Sequence, residues 1–553
     1  MPEIFGCDIG NGFGFISLLD SDRGDPKPML PIPRNPRDMN VNEGMPTEAY
    51  VAQNGADILV YDPDNGPAAR KIRRDPAGCI RAVKTRLQEE SIHLQGRTAP
   101  VSPYEVYGAV TRDLIRLGNQ QRAQDHLDPI YEMVMTYPAF FTTYDKGLEM
   151  LNRMQASIQK VELDGHHLKV AGRLPEPAAV AIDYLYYLQH EAPEDHRLSG
   201  EEFTAVVYDL GHGTFDTAVV TARSSGEPYQ VWDVDGLPDV GGKDFDARLL
   251  QELTKMLSRE HDYKLVNDQD WEDLLQEAIS AKHELSKHEE TVVQHQNHRD
   301  GSYLELCLTR TRFEAITRDM LLETLGKTQE LINAHLSAGQ TIQAIVLSGG
   351  ASQMPMVRQA LESRIHPSLP VHLFRPSKAV SFGAARYAAG ITETPAANAD
   401  PEPDQEPEPA PAPNPVAQLY TKHGYGVLIE TPGKLDGEVR ILLDPKTPLP
   451  ARSSTVDFPC FAGRVDCKVY RPRQQTPGAR SLPPEECTNL VWLHFDVPKA
   501  GIYQLELSVD ANYDVTVTLT RNGLSILTED PTQGTEDTFR QKRSTSDNRT
   551  AKE

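Results

Sequence analysis

Apolar positions recur with two different spacings along the first 391 residues. Where they return every three or four residues, the spacing predicts amphipathic helices, and short unbroken apolar runs bounded by glycine or polar residues predict buried strands. Helices are predicted at residues 104–121, 144–157, 177–189, 244–259, 270–287, 312–338 and 356–364, with strands such as 131–137 and 342–347 between them. Helices and strands in alternation are typical of the α/β class.

The pattern changes after residue 391. Between residues 392 and 415 prolines recur among acidic residues, which predicts an extended, stiff spacer without a core. Beyond it, stretches rich in valine, leucine and threonine predict strands and hence a small antiparallel β-domain; these strands are 439–443, 465–470, 490–495, 503–509 and 515–519. The predicted organisation is an α/β domain at 1–391, a Pro/Glu-rich linker at 392–418, a β-sandwich at 419–527 and a disordered polar tail at 528–553.

Charge and cysteine content narrow the classes of partner and compartment. A formal net charge of −24 repels phosphate backbones at long range, so we expect no nucleic-acid partner. No apolar run reaches membrane-spanning length and the first residues form no signal peptide, so we expect a cytoplasmic protein without a membrane partner. Cys7 and Cys307 lie in strand-like apolar runs and are predicted to be reduced core residues.

One chemical pattern, Asp-x-Gly-x-Gly, occurs twice, each time between two apolar runs. The copies are Asp8-Ile9-Gly10-Asn11-Gly12 and Asp209-Leu210-Gly211-His212-Gly213. Each predicts a strand, a glycine turn and a second strand, and a turn of exposed amides is an anion cradle. An aspartate at the end of the incoming strand is suited to hold a water on Mg²⁺. Two such hairpins facing each other predict a clamp for a nucleoside triphosphate, the alternative being two unrelated turns.

Three further features extend this prediction. Thr214 is placed to reach a terminal phosphate and Asp216 to orient water or metal, the alternative for Asp216 being a residue that caps its turn. Gly241-Gly242 stand at a predicted helix start, where backbone amides favour phosphate. Gly349-Gly350 follow an apolar strand, where bare backbone would support a ring or sugar, unless this is an ordinary strand-to-helix connection.

In their order along the chain, these motifs resemble those of the seventy-kilodalton heat-shock chaperones of the DnaK type. That family shares its ATPase fold with actin and sugar kinases. The resemblance runs through residues 4–390, and the segments that carry it are 136–141, 174–181, 209–216, 240–246, 311–314, 346–355 and 379–385. It implies an actin-like ATPase domain of two duplicated lobes that binds ATP or ADP with Mg²⁺.

The resemblance assigns roles to individual residues. It implies that Asp8 and Asp209 hold Mg²⁺ through water, with Glu176 nearby. Lys84 would stabilise charge on the γ-phosphate, although its own neighbours suggest only a surface lysine. The expected catalytic residues are Lys84, Glu176, Asp209 and Thr214, and the expected nucleotide contacts are Asp8, Gly10, Asn11, Gly12, Gly211, His212, Gly213, Asp216, Gly241, Gly242, Lys282, His283, Ser286, Gly349, Gly350 and Gln353. Among these, Lys282 and Ser286 are expected near ribose and base.

The chain departs from the family pattern at several of these positions. Asn11-Gly12 replaces two hydroxyl residues and is closer to the Asp-Ile-Gly-x-Gly of actin-like plasmid-segregation proteins. The family's adenine-stacking arginines fall at His283 and Gln353, which leaves adenine affinity and base selectivity open. His212 replaces a glycine and adds a side chain beside the cradle.

The C-terminal part distinguishes between relatives. Residues 424–429 and 505–517 resemble strands of the chaperones' substrate-binding β-sandwich, which filament proteins and sugar kinases lack. Because the chain runs into a polar tail, we expect no helical lid of the family type, and the family's short apolar linker is replaced by the Pro/Glu spacer. The leading interpretation is a lidless, slowly hydrolysing ATPase chaperone that binds unfolded polypeptide or a dedicated protein partner, with J-domain and nucleotide-exchange co-chaperones. The alternatives are an actin-like filament-forming ATPase and a nucleotide-responsive scaffold with little turnover.

Overall fold

A computed structural model describes most of the chain. The described residues are 3–19, 26–28, 44–55, 57–60, 71–72, 74–142, 146–191, 202–223, 229–365, 369–392, 417–421, 423–429, 437–460, 463–473, 479–521 and 524–527. The predicted tail, and the predicted linker apart from residues 392, 417 and 418, lie outside them. Two compact units are distinguished, one of Met1–Phe140 with Asn152–Ala417 and the other of Phe141–Leu151 with Gln418–Glu553. The four-part division of the chain stays a prediction.

The helices of the described residues follow the predicted segments closely. They are α1 (Pro103–Gln124), α2 (Gly147–Gln159), α3 (Glu176–Tyr186), α4 (Gly242–His261), α5 (Asp268–Lys287), α6 (Arg310–Ser337), α7 (Pro355–Ala360) and α8 (Ala379–Thr392). Polar side chains at Ser102, Asn267 and Thr309 cap the starts of α1, α5 and α6 by accepting a backbone N–H. Only α8 corresponds to no predicted segment.

Two mixed sheets of the first unit have the same strand order. The strands up to residue 373 are β1 (Phe5–Ile9), β2 (Phe13–Leu19), β3 (Pro26–Pro28), β4 (Met45–Pro46), β5 (Ala49–Val51), β6 (Ile58–Val60), β7 (Cys79–Ile80), β8 (Glu132–Tyr137), β9 (Glu162–Leu163), β10 (His166–His167), β11 (Lys169–Pro175), β12 (Glu202–Leu210), β13 (Phe215–Arg223), β14 (Tyr229–Leu237), β15 (Glu290–Gln296), β16 (Tyr303–Thr309), β17 (Ala344–Ser348) and β18 (Val371–Leu373). The first sheet contains the order β11-β8-β1-β2-β3 and the second the order β18-β17-β12-β13-β14. In both, the first three strands run parallel and the remaining pairings are antiparallel. The predicted α/β class is therefore confirmed, and the fold repeats one topology.

Each sheet is covered by a helix that follows the last parallel strand of the other sheet. Helix α3 comes directly after β11 and packs on β12 and β13, whereas α8 follows β18 and packs on β1 and β2. Parallel strands covered on both faces are apolar without alternation, and β17 is accordingly buried along its whole length. The two helices also bind each other, since Arg386 of α8 lies 3.0 Å from Asp183 of α3 and both side chains are buried.

In the hairpin of β15 and β16, only β16 corresponds to a predicted strand, the strand-like run that contains Cys307. Its residues alternate between buried and exposed, as expected for a ribbon with one face on the protein. His295 and Leu306 face the protein, whereas Val292 and Cys307 are paired across the exposed face. The prediction that Cys307 is a core residue is therefore wrong, and Cys7 is buried as predicted.

After the short strand β19 (Ala417–Leu419), the remaining strands form two further sheets whose pairings are antiparallel. They are β20 (Tyr425–Ile429), β21 (Glu438–Leu443), β22 (Ala451–Arg452), β23 (Val456–Cys460), β24 (Gly463–Pro472), β25 (Ser481–Leu482), β26 (Cys487–Val497), β27 (Gly501–Val509), β28 (Val515–Arg521) and β29 (Leu524–Leu527). One sheet has the order β25-β21-β20-β24-β26 and the other the order β22-β27-β28-β29, with β23 also on β27. Cys467, Leu493, Leu505 and Val517 are fully buried there. Among the described residues, no helix is long and apolar enough to cross a membrane.

Candidate functional site

Aspartates occupy equivalent places in the two sheets. Asp8 is the penultimate residue of β1 and Asp209 the penultimate residue of β12, and these strands hold the same position in their sheets. Asp209 lies opposite Asp216 of β13, and both are buried. The Thr136 hydroxyl donates to Asp8 Oδ1 at 3.4 Å. The predicted pair of strand-end aspartates is thus present in matched surroundings.

Lys84 is buried and paired rather than exposed. It lies in the 3₁₀ segment Val83–Gln88, its side chain is 1% exposed, and its Nζ binds Glu176 Oε1. Glu176 is the first residue of α3, where the helix dipole stabilises a negative charge. A buried ammonium without a partner would be strongly destabilising, so the pairing explains how this lysine is tolerated in the interior.

The cluster holds more negative than positive charge. Around the Lys84 ammonium stand the carboxyls of Asp8, Glu176, Asp209 and Asp216. Withdrawal from water and repulsion between carboxylates raise the pKa of Asp8 to about 7 and put those of Asp209 and Asp216 well above their usual range. Burial alone would lower the pKa of Lys84, but the facing carboxylates raise it, so the side chain stays charged. A cation would relieve the remaining repulsion.

The donor set fits a hydrated divalent cation. Carboxylate oxygens and waters are the ligands that Mg²⁺ prefers. Among the described residues, no three His, Cys, Asp or Glu side chains lie close enough together to ligate one ion directly. The Ser348 hydroxyl, at the β17 position beside Asp209, is buried without a hydrogen-bond partner. An orphaned hydroxyl next to carboxylates fits a site completed by water.

The two glycine turns are closed by the same hydrogen bond. Gly10 N donates to Phe13 O at 2.9 Å, and Gly211 N donates to Thr214 O at 3.0 Å. Thr47 holds the first turn further, through its N–H to Gly12 O at 3.0 Å and its hydroxyl to Gly10 O at 3.1 Å. Each turn therefore has a fixed shape before any ligand is present.

The turns also contact each other across the cluster. A Cβ on Gly213 would lie 2.3 Å from Asn11 Nδ2, so the Asn11 side chain rests on bare backbone. In the opposite direction, a Cβ on Gly12 would lie 3.1 Å from the His212 ring. Asn11 Oδ1 also accepts from Thr85 N at 3.2 Å, one residue after Lys84. Asn11 thus links the Lys84 segment to the second turn.

The helix start at Gly241-Gly242 lies against the second turn, with its amides already engaged. Gly241 N donates to Asp244 Oδ2 at 2.9 Å and Gly242 N to Gly211 O at 2.9 Å. Lys243 N and Asp244 N donate to His212 O and Gly241 O in the same way. The structure brings this glycine pair to the site, where its amides stabilise the turn.

The residues expected near ribose and base gather beside the helix start. Lys282 Nζ lies 2.8 Å from Asp246 Oδ1 and 3.2 Å from Gly242 O, and its side chain is buried. Ser286 Oγ donates to Lys282 O at 3.0 Å, and the neighbouring His283 is exposed. Lys282 therefore joins α5 to α4 at the edge of the cluster.

The fourth predicted loop touches the cluster directly. Gly349 has a φ of +81°, and a Cβ there would lie 2.4 Å from Asp209 Oδ1, so this position requires glycine. Gly350 has open space beside it. Gln353 is exposed, and its amide donates to Gly350 O at 3.3 Å. The bare backbone predicted at this loop is present next to one of the acids.

The protein environment keeps His212 neutral. Solvent reaches its ring, yet protein surrounds most of it, as for a side chain that lines a recess. Burial, with the cations Lys282 and Lys243, lowers the pKa of His212 to about 4. The ring therefore adds hydrogen-bonding capacity beside the turn without adding a charge near neutral pH.

Sequence analysis missed two hydroxyl residues of the cluster. Thr136 and Ser348 lie beside Asp8 and Asp209 at equivalent positions of β8 and β17. The signal was available, because Thr136 is the penultimate residue of β8 and Ser348 the last residue of β17, and each of these strands lies next to an aspartate-bearing strand. It becomes useful only once the strand order is known.

A comparison with protein families gives one match across this region. The model of the family described as Hsp70 protein matches residues 81–398, which is more than half of the chain. The match includes Lys84, Glu176, Asp209 and the loops around Gly241 and Gly349.

Individual relatives match with modest identity. The chain is 27% identical over 419 residues to the chaperone protein DnaK of Deinococcus radiodurans, covering 70% of this chain and 59% of that protein. It is also 27% identical over 388 residues to the chaperone protein DnaK of Halobacterium salinarum, covering 69% of this chain and 55% of that protein. The chain thus spans less than two thirds of the length of the relatives it matches.

Proposed function

The chain belongs to the Hsp70 family, and on that premise we propose that it is a Mg²⁺-dependent ATPase of the chaperone type. The sequence-based identification of the family is confirmed. The proposal includes an actin-like fold for the two duplicated sheets, with ATP or ADP bound between them. The observation that carries it is the cluster in which Asp8, Asp209 and the buried Lys84 meet between equivalent strand ends.

The chemistry follows from positioning and charge. When bound, Mg²⁺ neutralises phosphate charge and orders water. Asp8 and Asp209 would hold the ion through its waters, and the Lys84 ammonium would stabilise negative charge that develops on the terminal phosphate. Thr214, whose hydroxyl donates to Asp216 at 2.9 Å, would face that phosphate. Slow turnover is expected from the family resemblance.

The second unit would supply the binding function. Its two antiparallel sheets are consistent with the substrate-binding β-sandwich that the family resemblance implies. We propose that this part holds unfolded polypeptide or a dedicated protein partner, with J-domain and nucleotide-exchange proteins as co-chaperones, in the cytoplasm.

Phosphate release and calorimetry with ATP and ADP, each with and without MgCl₂, test the proposal. Asp209→Ala should abolish Mg²⁺-dependent hydrolysis while the melting temperature shows that the fold persists. Asp319→Ala is the matched control, since Asp319 is an exposed acid of the same unit that pairs with Arg248. Unchanged turnover in Asp209→Ala would refute the proposal that Asp209 helps to hold Mg²⁺.

One observation favours a second candidate, an actin-like filament-forming ATPase. Asn11 at the first turn is closer to plasmid-segregation proteins than to chaperones, and it makes the contact between the turns. Negative-stain microscopy with ATP distinguishes the two functions, because only the second predicts filaments.

A further inference from the structure

The Tyr107 hydroxyl is an unexplained polar group beside the acid cluster. Tyr107 lies on α1 with a fully buried side chain, and its Oη has no hydrogen-bond partner. A buried hydroxyl without a partner destabilises a fold, because its desolvation is not compensated. The groups that act on this hydroxyl electrostatically are Cys7, Glu176 and Asp8; with burial they raise the pKa of Tyr107 well above its usual range, so it remains a neutral O–H donor.

Helix geometry directs Tyr107 toward the segment that carries Lys84. Tyr104 and Tyr107 are three residues apart and therefore share one face of α1. The Tyr104 hydroxyl donates to Leu87 O at 2.9 Å, which fixes this face against the 3₁₀ segment Val83–Gln88. Tyr107 lies on the next turn of the same face and is fully buried there.

A single buried water would satisfy the Tyr107 hydroxyl, which the protein leaves unpaired. Neither the Asp8 nor the Glu176 carboxyl accepts the Tyr107 O–H directly, although both are acceptors. A water between them would accept from the hydroxyl and donate to the carboxylates. Buried waters of this kind have two to four polar partners, and this site offers three.

Resting on the ATPase function proposed above, we infer that Tyr107 is a positioning residue of the cation site. Through one buried water, its hydroxyl holds the Asp8 and Glu176 carboxylates in the orientation in which they bind the hydration shell of a divalent cation. Tyr107 itself touches neither nucleotide nor ion. Outer partners of metal-binding groups typically contribute about 10–100-fold to metal affinity.

The test is a MgCl₂ titration of the full chain and of Tyr107→Phe, followed by thermal unfolding, with ADP calorimetry in parallel. In the variant, the MgCl₂ concentration that gives half of the thermal stabilisation should rise about tenfold or more. Its melting temperature without MgCl₂ should not fall, because the hydroxyl bonds no protein atom. Tyr208→Phe is the matched control: that buried hydroxyl bonds Thr324 at 2.6 Å, so the control should lose stability and keep the parental MgCl₂ midpoint.

The outcomes separate this inference from the proposed function. A lower melting temperature with an unchanged MgCl₂ midpoint in Tyr107→Phe would mean that the hydroxyl is structural, and no change in either measurement would also overturn the assignment. A parent chain that releases no phosphate refutes turnover alone, since the MgCl₂ midpoint needs no hydrolysis. A parent chain that MgCl₂ does not stabilise refutes the cation site and the role of Tyr107 together.

Discussion

Removing the Lys84 ammonium should destabilise the first unit and stop turnover for the same electrostatic reason. Lys84→Met keeps a similar side-chain volume and deletes the charge. The side chains of Lys84 and its partner Glu176 are only 1% and 10% exposed. Loss of one partner from a buried ion pair costs about 3–5 kcal/mol, and here it leaves several carboxyls without their cation. We expect the full loss without Mg²⁺ and a smaller one with saturating Mg²⁺, because a bound ion stabilises the folded state.

Urea unfolding measures this loss if the fluorescence comes from the first unit alone. Of the three tryptophans, Trp232 and Trp271 belong to that unit and Trp492 to the second. In a Trp492→Phe background, the transition therefore reports on the unit that holds the acid cluster. The linear dependence of the unfolding free energy on urea then gives the difference between variants.

A double-mutant cycle isolates the pair from other effects. Glu176→Gln combined with Lys84→Met should be more stable than the sum of the single losses, with a coupling free energy above about 1 kcal/mol. Arg358→Met is the matched control: Arg358 and Glu362 form an exposed pair on neighbouring helical turns, and its loss should change stability by less than about 0.5 kcal/mol. Additive losses at Lys84 and Glu176, or a Lys84 variant as stable as its parent, would refute the electrostatic argument.

In phosphate release, kcat of Lys84→Ala should fall by orders of magnitude while nucleotide affinity is retained; the opposite pattern would mean that Lys84 only anchors the ligand.

Three further predictions concern pH and coupling between units. Since the pKa of Asp8 is raised to about 7, the folded protein without cation binds more protons than the unfolded chain between about pH 4 and 7, so its stability should fall as pH rises through this window. Mg²⁺ should accordingly stabilise more at pH 8 than at pH 5 in thermal unfolding, and an equal effect would contradict the cluster's charge balance. Burial lowers the pKa of His295, but the neighbouring Glu277 and Asp270 carboxylates raise it by more, so the net shift is upward. The protonated His295 should therefore stabilise the fold fully below about pH 6.5, and this stabilisation should be lost as pH rises through the pKa of the folded state. His295→Gln should abolish that dependence in melting curves recorded across this pH range. Because prolines and acids at 392–415 favour extended backbone, partner affinity measured with ATP, with ADP and without nucleotide should differ by less than about tenfold, and a larger difference would indicate a coupled chaperone cycle.

Local sequence was sufficient for all the described helices except α8 and for the chemistry of the turns, but it was insufficient for burial that depends on distant partners. Lys84 looks like a surface lysine among its neighbours because its partner, Glu176, is 92 residues away. Likewise, the sequence places Asn11 in a glycine turn without indicating a partner, whereas in the structure its side chain fills the space above Gly213. Such contacts follow from how the two sheets face each other, which no local pattern encodes.

The hairpin of β15 and β16 shows a different limit. Its apolar residues are few and alternate with polar ones, so the apolar character of the segment around Cys307 suggested a core strand. Whether Cys307 is buried depends on the face of the strand to which it points, because neighbouring residues of a strand point to opposite faces. Cys307 pairs with Val292 on the exposed face of the hairpin. The periodicity predicts two faces, but not which of them meets the protein.

The exchange of covering helices makes the two halves of the first unit mutually dependent. A chain cut between Glu191 and Glu202 would leave α3 on one fragment and β12 on the other, and would separate α8 from β1. Each fragment made alone would expose an apolar sheet face and aggregate. Made together, they would reassemble through those faces and bring Asp8 and Asp209 back into one site. The fold is thus suited to use as a split protein, in which recovery of cation binding reports that two separately expressed halves have associated.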